Sequence, residues 1–293
     1  MERGSITHAD VGAEGAPAEP AGESTSLSPL PWLPAWLPAL LVEAGKMVAL
    51  LGATARAALT RPFDWLGECI DECAFILRRC LVPLAISAAA LGFGAPGLQA
   101  GNFLNLIGTV DRLGAFFVLI SVREIAPFLT GMIVAGVAGT AICADLGART
   151  VRDEINAMRA MGMDPVRSLV VPRLVAMELM TPLLLMFAIL TATFGGYAAG
   201  VFVFGETSAG FFSTFASNFT TPDLFGAVAK TVLFAFVTAT VACHMGLSVT
   251  GGPAGVGRAV NRCVVVSFVL IWIINYVVSS LVLGGFPETQ ALR

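Results

Sequence analysis

Residues 149–165 read RTVRDEINAMRAMGMDP, and six of these seventeen residues are charged, whereas charged residues make up only 13% of the whole chain. Long apolar stretches flank the segment on both sides. Thr150 is followed three residues later by Asp153, which is the spacing of a capping box. Gly162 and Pro165 are typical of a helix end. The segment therefore predicts a short charged helix over 149–162, between two apolar elements.

Apolar residues recur at helical spacing along this segment, which predicts one apolar face. That face is rich in Met, whose flexible side chain suits docking on another protein. Acidic and basic residues are mixed, whereas a helix that lies on lipid is usually dominated by Lys and Arg. We therefore expect a protein partner, with contact to lipid headgroups as the alternative. The candidate contact residues are Arg152, Asp153, Glu154, Met158, Arg159 and Met161.

The composition indicates an all-α polytopic membrane protein. Of the 293 residues, 56% are apolar, and the mean hydropathy is +0.83. A soluble domain is about 45–50% apolar and about 25% charged. The net charge of −3 argues against nucleic acid as a partner. Five stretches are long enough to cross a bilayer core of about 30 Å as helices. They lie at approximately 80–98, 113–146, 169–204, 223–246 and 261–285.

The residues before these spans differ from them in composition. Residues 1–28 are rich in Ala, Gly, Pro, Glu and Ser, which predicts a disordered acidic tail. Three prolines between 31 and 38 argue against a spanning helix in the segment 29–62. We expect instead an amphipathic helix over about 39–60 that lies in the membrane interface. Residues 63–293 would then form the transmembrane domain.

The positions of Lys and Arg predict the orientation of the spans. Of the 17 such residues, 13 precede the first span or lie between spans two and three or spans four and five. Cytoplasmic loops carry an excess of Lys and Arg. We therefore expect a plasma (inner) membrane protein with a cytoplasmic N-terminus, a cytoplasmic 149–162 helix and an extracytoplasmic C-terminus.

Among the charged residues inside the predicted spans, three are candidates for a functional site. Arg123 and Glu124 lie in span two, and Lys230 lies in span four. Neighbouring residues on a helix point about 100° apart, so Arg123 and Glu124 need different partners. The long side chain of Lys230 could reach Glu124. Intramembrane charges are costly and mark functional sites by default. The cluster is either a static ion pair or a polar gate beside a translocation path.

Small residues recur every four positions in two of the spans, which lets helices approach closely in lipid. We expect them to serve packing, within one subunit or across a dimer. The six cysteines and two histidines show no metal-ligand spacing, so no metal site is expected. The glycine-rich stretch 92–97 has the spacing of a dinucleotide-binding fingerprint but not its βαβ context, and 252–259 lacks the Lys and Ser/Thr of a phosphate loop. The predicted packing residues are Gly131, Ala135, Gly139, Gly196 and Gly200.

The stretch 123–176 contains, in order, RE-x-x-P, AG-x-AG, DLG, MGMDP and VPR. This series resembles the signature region of the MlaE/YrbE permeases, the membrane subunits of ABC-type lipid transporters that work with MCE proteins. Weaker matches at 97–99, at Lys230 and in 246–262 extend the resemblance over about 80–285.

The resemblance implies that 149–162 is a coupling helix, which sits in a groove of a separate cytoplasmic ABC ATPase subunit. ATP and Mg would bind in that ATPase, and this chain, which is not an enzyme, would bind no cofactor. Further implied partners are a second permease subunit (the same chain or a paralogue), extracytoplasmic MCE proteins and a hydrophobic membrane lipid as cargo. The implied lipid pocket lies near the outer ends of spans one and two, beside Leu98, Gln99 and Glu124.

Two positions depart from the family pattern. Val137 stands in AG-x-AG where Arg is frequent, and Glu178 stands where an apolar residue is commoner. A paralogous partner could supply the missing Arg. The main alternative function is a proton-driven secondary transporter with Arg123, Glu124 and Lys230 as the relay. It explains the buried charges but not the charged helix. A lipid enzyme would need a catalytic cluster that the sequence lacks.

Overall fold

The computed structural model describes residues 36–60 and 65–285, and every element in those ranges is helical. Five of the described helices are long and apolar enough to cross a membrane. The chain is therefore an all-α polytopic membrane protein, as the sequence predicted. In those ranges the helices are α1 (Trp36–Thr60), α2 (Leu66–Leu106), α3 (Val110–Val151), α4 (Glu154–Ala160), α5 (Val166–Phe204), α6 (Ser208–Asn218), α7 (Thr221–Leu247) and α8 (Gly252–Gly285).

Consecutive spans are joined by short segments, which define two ends of the helical bundle. We call them the 152–165 end and the 205–220 end after the loops that lie there. The most extensive contact between spans joins α2 and α5. Large side chains of the core come from four spans and from α6, with Leu84 on α2, Phe117 on α3, Leu184 on α5, Phe211 on α6 and Phe234 on α7.

The first span begins earlier than the hydropathy predicted. We expected it at about 80, whereas α2 begins at Leu66 and includes Glu68, Asp71 and Glu72. Glu72 is satisfied within the bundle, because Arg173 of α5 donates to it at 2.9 Å. Charged side chains that find partners on neighbouring helices do not end a helix, so hydropathy alone misplaced this boundary.

Several spans contain wide, π-helical turns. They occupy Phe93–Gln99 in α2, Val118–Ile125 and Ala135–Gly139 in α3, and Val166–Val170 in α5. Pro127 lies two residues after the wide turn Val118–Ile125, so the residue that has no N–H to donate lies next to an interruption of the regular hydrogen-bond pattern. Wide turns are frequent at functional sites. The one at Val118–Ile125 contains Arg123 and Glu124.

The five small residues predicted to pack helices lie at contacts within this chain. On α3, Gly131 and Gly139 lie against α7, and Ala135 packs in the same buried cluster. On α5, Gly196 and Gly200 lie against α3. A Cβ on Gly196 would overlap the ring of Phe117 and would force the two helices apart. The arrangement favours packing inside the subunit, and the role of these residues across a dimer stays a prediction.

Helix α1 is not among the five candidate spans. It begins at Trp36, slightly before the predicted start at 39. Its buried positions Thr54 and Ala57 lie on one face, and Glu43 lies 3.0 Å from Nε2 of His244 on α7. Its position in the membrane interface stays a prediction, and the predicted tail 1–28 lies outside the described residues.

Candidate functional site

The polar cluster near the 205–220 end begins with Lys230 of α7, whose side chain is 3% exposed. Its Nζ lies 2.9 Å from Oε1 of Glu124 and also donates to the carbonyl oxygen of Arg123 at 2.8 Å. The contact that the sequence suggested between Lys230 and Glu124 is therefore present. It holds α7 against the wide turn of α3.

Two residues of α8 complete the surroundings of Glu124. Nδ2 of Asn275 donates to Oε2 at 2.9 Å, and Oγ of Ser279 donates to Oε1 at 2.7 Å. They are four residues apart and therefore lie on one face of α8. Glu124 thus connects three spans through its two carboxylate oxygens.

Arg123 does not share the partners of Glu124, because neighbouring side chains on a helix point about 100° apart. Its Nε lies 2.7 Å from Oδ1 of Asp223, whose side chain is fully buried. Asp223 also caps α7, because it accepts from the backbone N–H of Thr220 at 2.9 Å and from its hydroxyl at 2.7 Å. One carboxylate therefore stabilises the start of α7 and an arginine in the middle of α3.

The cavity beside this cluster is small. Its volume is about 30 Å³, and its lining includes Arg123, Glu124, Asp223 and Lys230. That is room for one or two water molecules. A lipid headgroup does not fit in this cavity, although the Glu124 side chain is itself 42% exposed at the surface of the bundle. Lys230 and Asp223, by contrast, are buried.

Leu98 and Gln99, the other two residues predicted for the lipid path, are placed elsewhere. They end the wide turn Phe93–Gln99 of α2, which packs mainly on α5. Leu98 is half-buried and Gln99 is exposed. Neither lines the cavity beside Glu124. Of the five residues predicted for the path, the structure brings three together.

The predicted helix over 149–162 is in fact broken. Thr150 does not cap it, because α3 continues to Val151 and the Thr150 hydroxyl donates to the Leu146 carbonyl oxygen at 2.8 Å. The same hydroxyl lies 3.2 Å from the carbonyl oxygen of Gly246 on α7. Asp153 adopts a left-handed backbone conformation with φ of 58° and caps nothing through its side chain. The only part of the predicted segment that forms a separate helix among the described residues is therefore α4, which has two turns and is shorter than the predicted helix over 149–162.

The broken segment, 152–161, presents a polar face outward. Arg152, Asp153, Arg159 and Met161 are exposed, and the Met161 side chain is exposed to 67%. Of the two other predicted contact residues, Met158 packs against the core, whereas the Glu154 side chain is 40% exposed and pairs with Arg152 at 2.8 Å. The surface available to a partner therefore comes from the former four residues and from Glu154.

An ion-pair network lies beneath this segment at the 152–165 end. Arg173 of α5 is buried and pairs with Glu72 of α2 and with Asp145 of α3. Asp145 also pairs with Arg149 at 3.1 Å, and Nη1 of Arg149 lies 3.8 Å from Glu154. The pairs run continuously from the bundle to α4, so a force on α4 would be transmitted to α2, α3 and α5.

We expect Arg173→Met to lower the free energy of unfolding by about 2 kcal/mol, because it leaves the partly buried Glu72 without its cation and Asp145 with Arg149 alone. The matched control is Arg149→Met, which removes an exposed ion pair and should change stability by less than about 1 kcal/mol. Equilibrium unfolding in mixed detergent micelles measures both. Equal effects of the two variants would show that Arg173 does not hold the network together.

Glu206, between α5 and α6, was not identified from the sequence. It is 9% exposed, and neither of its carboxylate oxygens has a hydrogen-bond partner. Burial, together with the charge of Asp111, raises the pKa of Glu206 from its ordinary value of 4.5 to about 7. The folded protein therefore holds this proton at a pH where the unfolded chain has lost it.

The contribution of Glu206 to the free energy of unfolding should therefore fall as pH rises from about 4.5 to about 7 and should change little above pH 7. We expect Glu206→Gln to remove this dependence and to make the protein more stable than wild type at pH 8. Asp111→Asn should retain the dependence but shift it to lower pH. Unfolding curves at pH 5 and pH 8 test this, and a Glu206→Gln variant with the wild-type pH dependence would contradict it.

Some of these residues left signals in the sequence that were not used. Asp223 follows Thr220 by three residues, which is capping-box spacing. Asn275 and Ser279 are polar residues four apart in an apolar span, which indicates one polar stripe facing a partner. Glu206 left no local signal, since its burial depends on the fold. Among the described residues, no group of three or more His, Cys, Asp or Glu could hold a metal ion.

Comparison with known proteins adds the following matches. Residues 69–281 match the family model of the permease MlaE. The chain is 32% identical over 212 residues to a probable ABC transporter permease of Synechocystis, covering 71% of this chain and 80% of the relative. A probable ABC transporter permease of Rickettsia typhi is 27% identical over 233 residues, covering 80% and 90%. The chloroplastic protein TRIGALACTOSYLDIACYLGLYCEROL 1 of Arabidopsis thaliana is 30% identical over 184 residues, covering 62% and 52%.

Proposed function

This chain belongs to the MlaE family of ABC transporter permeases, and we propose that it couples ATP hydrolysis in a separate ATPase to the movement of a membrane lipid. ATP and Mg would bind in that cytoplasmic ATPase. The observation that carries the proposal is the outward-facing segment 152–161, which is continuous with the ion pairs that reach three spans. Closure of an ATPase around this segment would move the ends of α2, α3 and α5 together.

A lipid is the cargo best supported. The name of the Arabidopsis relative refers to a galactolipid, trigalactosyldiacylglycerol. Most of the charged groups at membrane depth are paired with one another, so few remain to bind a hydrophilic solute. The Glu124 cluster would act as a polar gate: the exposed part of Glu124 would meet a headgroup first, and separation of α8 from α3 and α7 would open the way to the buried Lys230.

We also propose a second permease subunit, either the same chain or a paralogue. Helix α8 has only four buried residues along its whole length. Its outward face includes the large side chains Trp272 and Tyr276, which a neighbouring subunit could cover. If the second subunit is a paralogue, it would supply the Arg that this chain lacks at Val137.

The distribution of Lys and Arg supports a plasma-membrane location with the 152–165 end in the cytoplasm. The 205–220 end would then be extracytoplasmic. It carries α6, the first turn of α7 and the Glu124 cluster, and it is where MCE proteins would receive or deliver the lipid.

The experiment is lipid transfer in proteoliposomes that contain this chain, its ATPase and its MCE partner. The proposal predicts transfer that requires ATP and that stops with an ATPase unable to hydrolyse it. Transfer that persists without ATP and follows an imposed pH gradient would favour the proton-driven transporter instead. A pH gradient alone should have no effect if the proposal is right.

A further inference from the structure

An apolar groove lies on the outside of the bundle at the 205–220 end. One wall is the stretch 189–197 of α5. The other wall consists of Phe212 and Phe215 of α6 and of Phe219, which directly follows α6. Its volume is about 570 Å³. Ligand-binding sites of proteins have volumes of about 300–1,000 Å³ and mainly apolar linings. The groove therefore has the size and chemistry of a binding site, and it is separate from the Glu124 cluster.

The few polar atoms along the groove are already satisfied. The Thr193 hydroxyl donates to the Ile189 carbonyl oxygen at 2.7 Å, and the Tyr197 hydroxyl is 2.9 Å from that of Ser208. A polar ligand would therefore gain no hydrogen bonds and would lose those it makes to water. The site suits a purely apolar ligand.

The aromatic wall is held in place by the core. Phe211 of α6 is fully buried, and its ring lies edge-on to that of Phe117 of α3 with centroids 6.0 Å apart. The rings of Phe215 and Phe219 stack with centroids 5.8 Å apart. The wall is thus anchored through α6 to the bundle, so the groove is formed before a ligand arrives.

The groove opens toward the bilayer. Leu183, Phe187, Leu190 and Phe194 follow one another at intervals of four, three and four residues, so they lie on one face of α5. All four are exposed in a helix that is long and apolar enough to cross the membrane. The last two also line the groove. Lipid tails that surround this face can therefore reach it directly.

A transmembrane helix of another protein fits this groove poorly. Helices in lipid pack through small residues that let their backbones approach, whereas this groove is walled by phenylalanines. At about 1.5 Å per residue, the stretch 189–197 is about 12 Å long, less than half of a bilayer core of about 30 Å. A hydrocarbon chain is narrow and flexible, so it can pack between phenylalanine side chains and can fit within a short groove.

We propose that the groove between α5 and α6 binds one acyl chain of a membrane lipid. The inference needs only a multi-pass membrane protein and is independent of the proposed coupling to an ATPase. The full chain is placed in phosphatidylcholine nanodiscs that contain a small fraction of phosphatidylcholine with a diazirine in its acyl chain. Irradiation and peptide mass spectrometry then map the covalent adducts.

Adducts should be more frequent on 189–197 and on 212–219 than on the exposed residues of α5 outside the groove. Thr193→Trp fills the groove and should lower its labelling by about tenfold, which corresponds to about 1.4 kcal/mol of binding free energy. Leu183→Trp is the control, because it adds the same ring on the exposed stripe outside the groove and should leave groove labelling unchanged.

An even spread of adducts along the exposed face of α5 would overturn the proposal, and this map is obtained from wild type alone. Groove labelling that Thr193→Trp does not reduce would do the same. Loss of the groove adducts when partner subunits are bound, with cross-links to a partner or to a second copy in their place, would assign the groove to a protein contact instead.

Discussion

Asp223→Ala should destabilise the protein more than any other single substitution considered for the polar cluster, by about 5 kcal/mol. It leaves the Arg123 guanidinium at membrane depth without its carboxylate, and it removes the capping box at the start of α7. Loss of a partner from a buried ion pair costs about 3–5 kcal/mol, and loss of a helix cap about 1 kcal/mol. Equilibrium unfolding in mixed detergent micelles measures the sum.

Two variants separate the contributions. Thr220→Ala removes part of the cap but keeps the ion pair, and it should cost about 1 kcal/mol. Asp223→Asn retains an oxygen that can accept from Thr220 but loses the charge, so its effect should fall between the other two. If Asp223→Asn is as stable as wild type, the pair with Arg123 contributes little and the cluster is not held by charge.

Glu124→Ala should reduce ATP-dependent lipid transfer by about tenfold or more and also lower stability by about 3 kcal/mol. The reason is that Lys230, 3% exposed, loses the carboxylate that neutralises it, and Asn275 and Ser279 lose their acceptor. Transfer in proteoliposomes and unfolding in micelles are measured on the same preparations.

The double variant Glu124→Gln/Lys230→Met separates structure from transport. Both side chains are then neutral and of similar size, so stability should return to near the wild-type value. Transfer should stay low if the charges contact the headgroup or open the path. Recovery of transfer together with stability would show that the pair is only a structural element.

Hydropathy was enough to predict five spans because a bilayer core requires long apolar helices whatever the rest of the fold. The contact of Lys230 with Glu124 was also predictable, since an isolated charge in a span needs an opposite charge within reach. The partner of Arg123 was not predicted, because Asp223 sits at a helix start and looks like an ordinary capping residue. Its second role depends on how α3 and α7 pack.

The break before α4 could not be predicted for a related reason. Thr150 and Asp153 have capping-box spacing, and local sequence favours a helix start at that point. In the structure the Thr150 side chain instead lies beside the Gly246 carbonyl of α7, and α3 continues past it. A contact ninety-six residues away in sequence thus decided where the helix ends. The exposed side of 152–161 changed with it, since Met158 packs against the core.

The most direct measurement is co-purification of the chain with its ATPase, comparing wild type with Arg159→Glu/Met161→Glu. Both side chains are exposed and have no role in the ion pairs below α4, so the fold should persist. Lys46→Glu, an exposed charge reversal on α1, is the control. We predict that an ATPase accompanies wild type and the control and is lost from the double variant. Equal recovery of the ATPase with the double variant, or no ATPase with wild type, would contradict coupling through this segment.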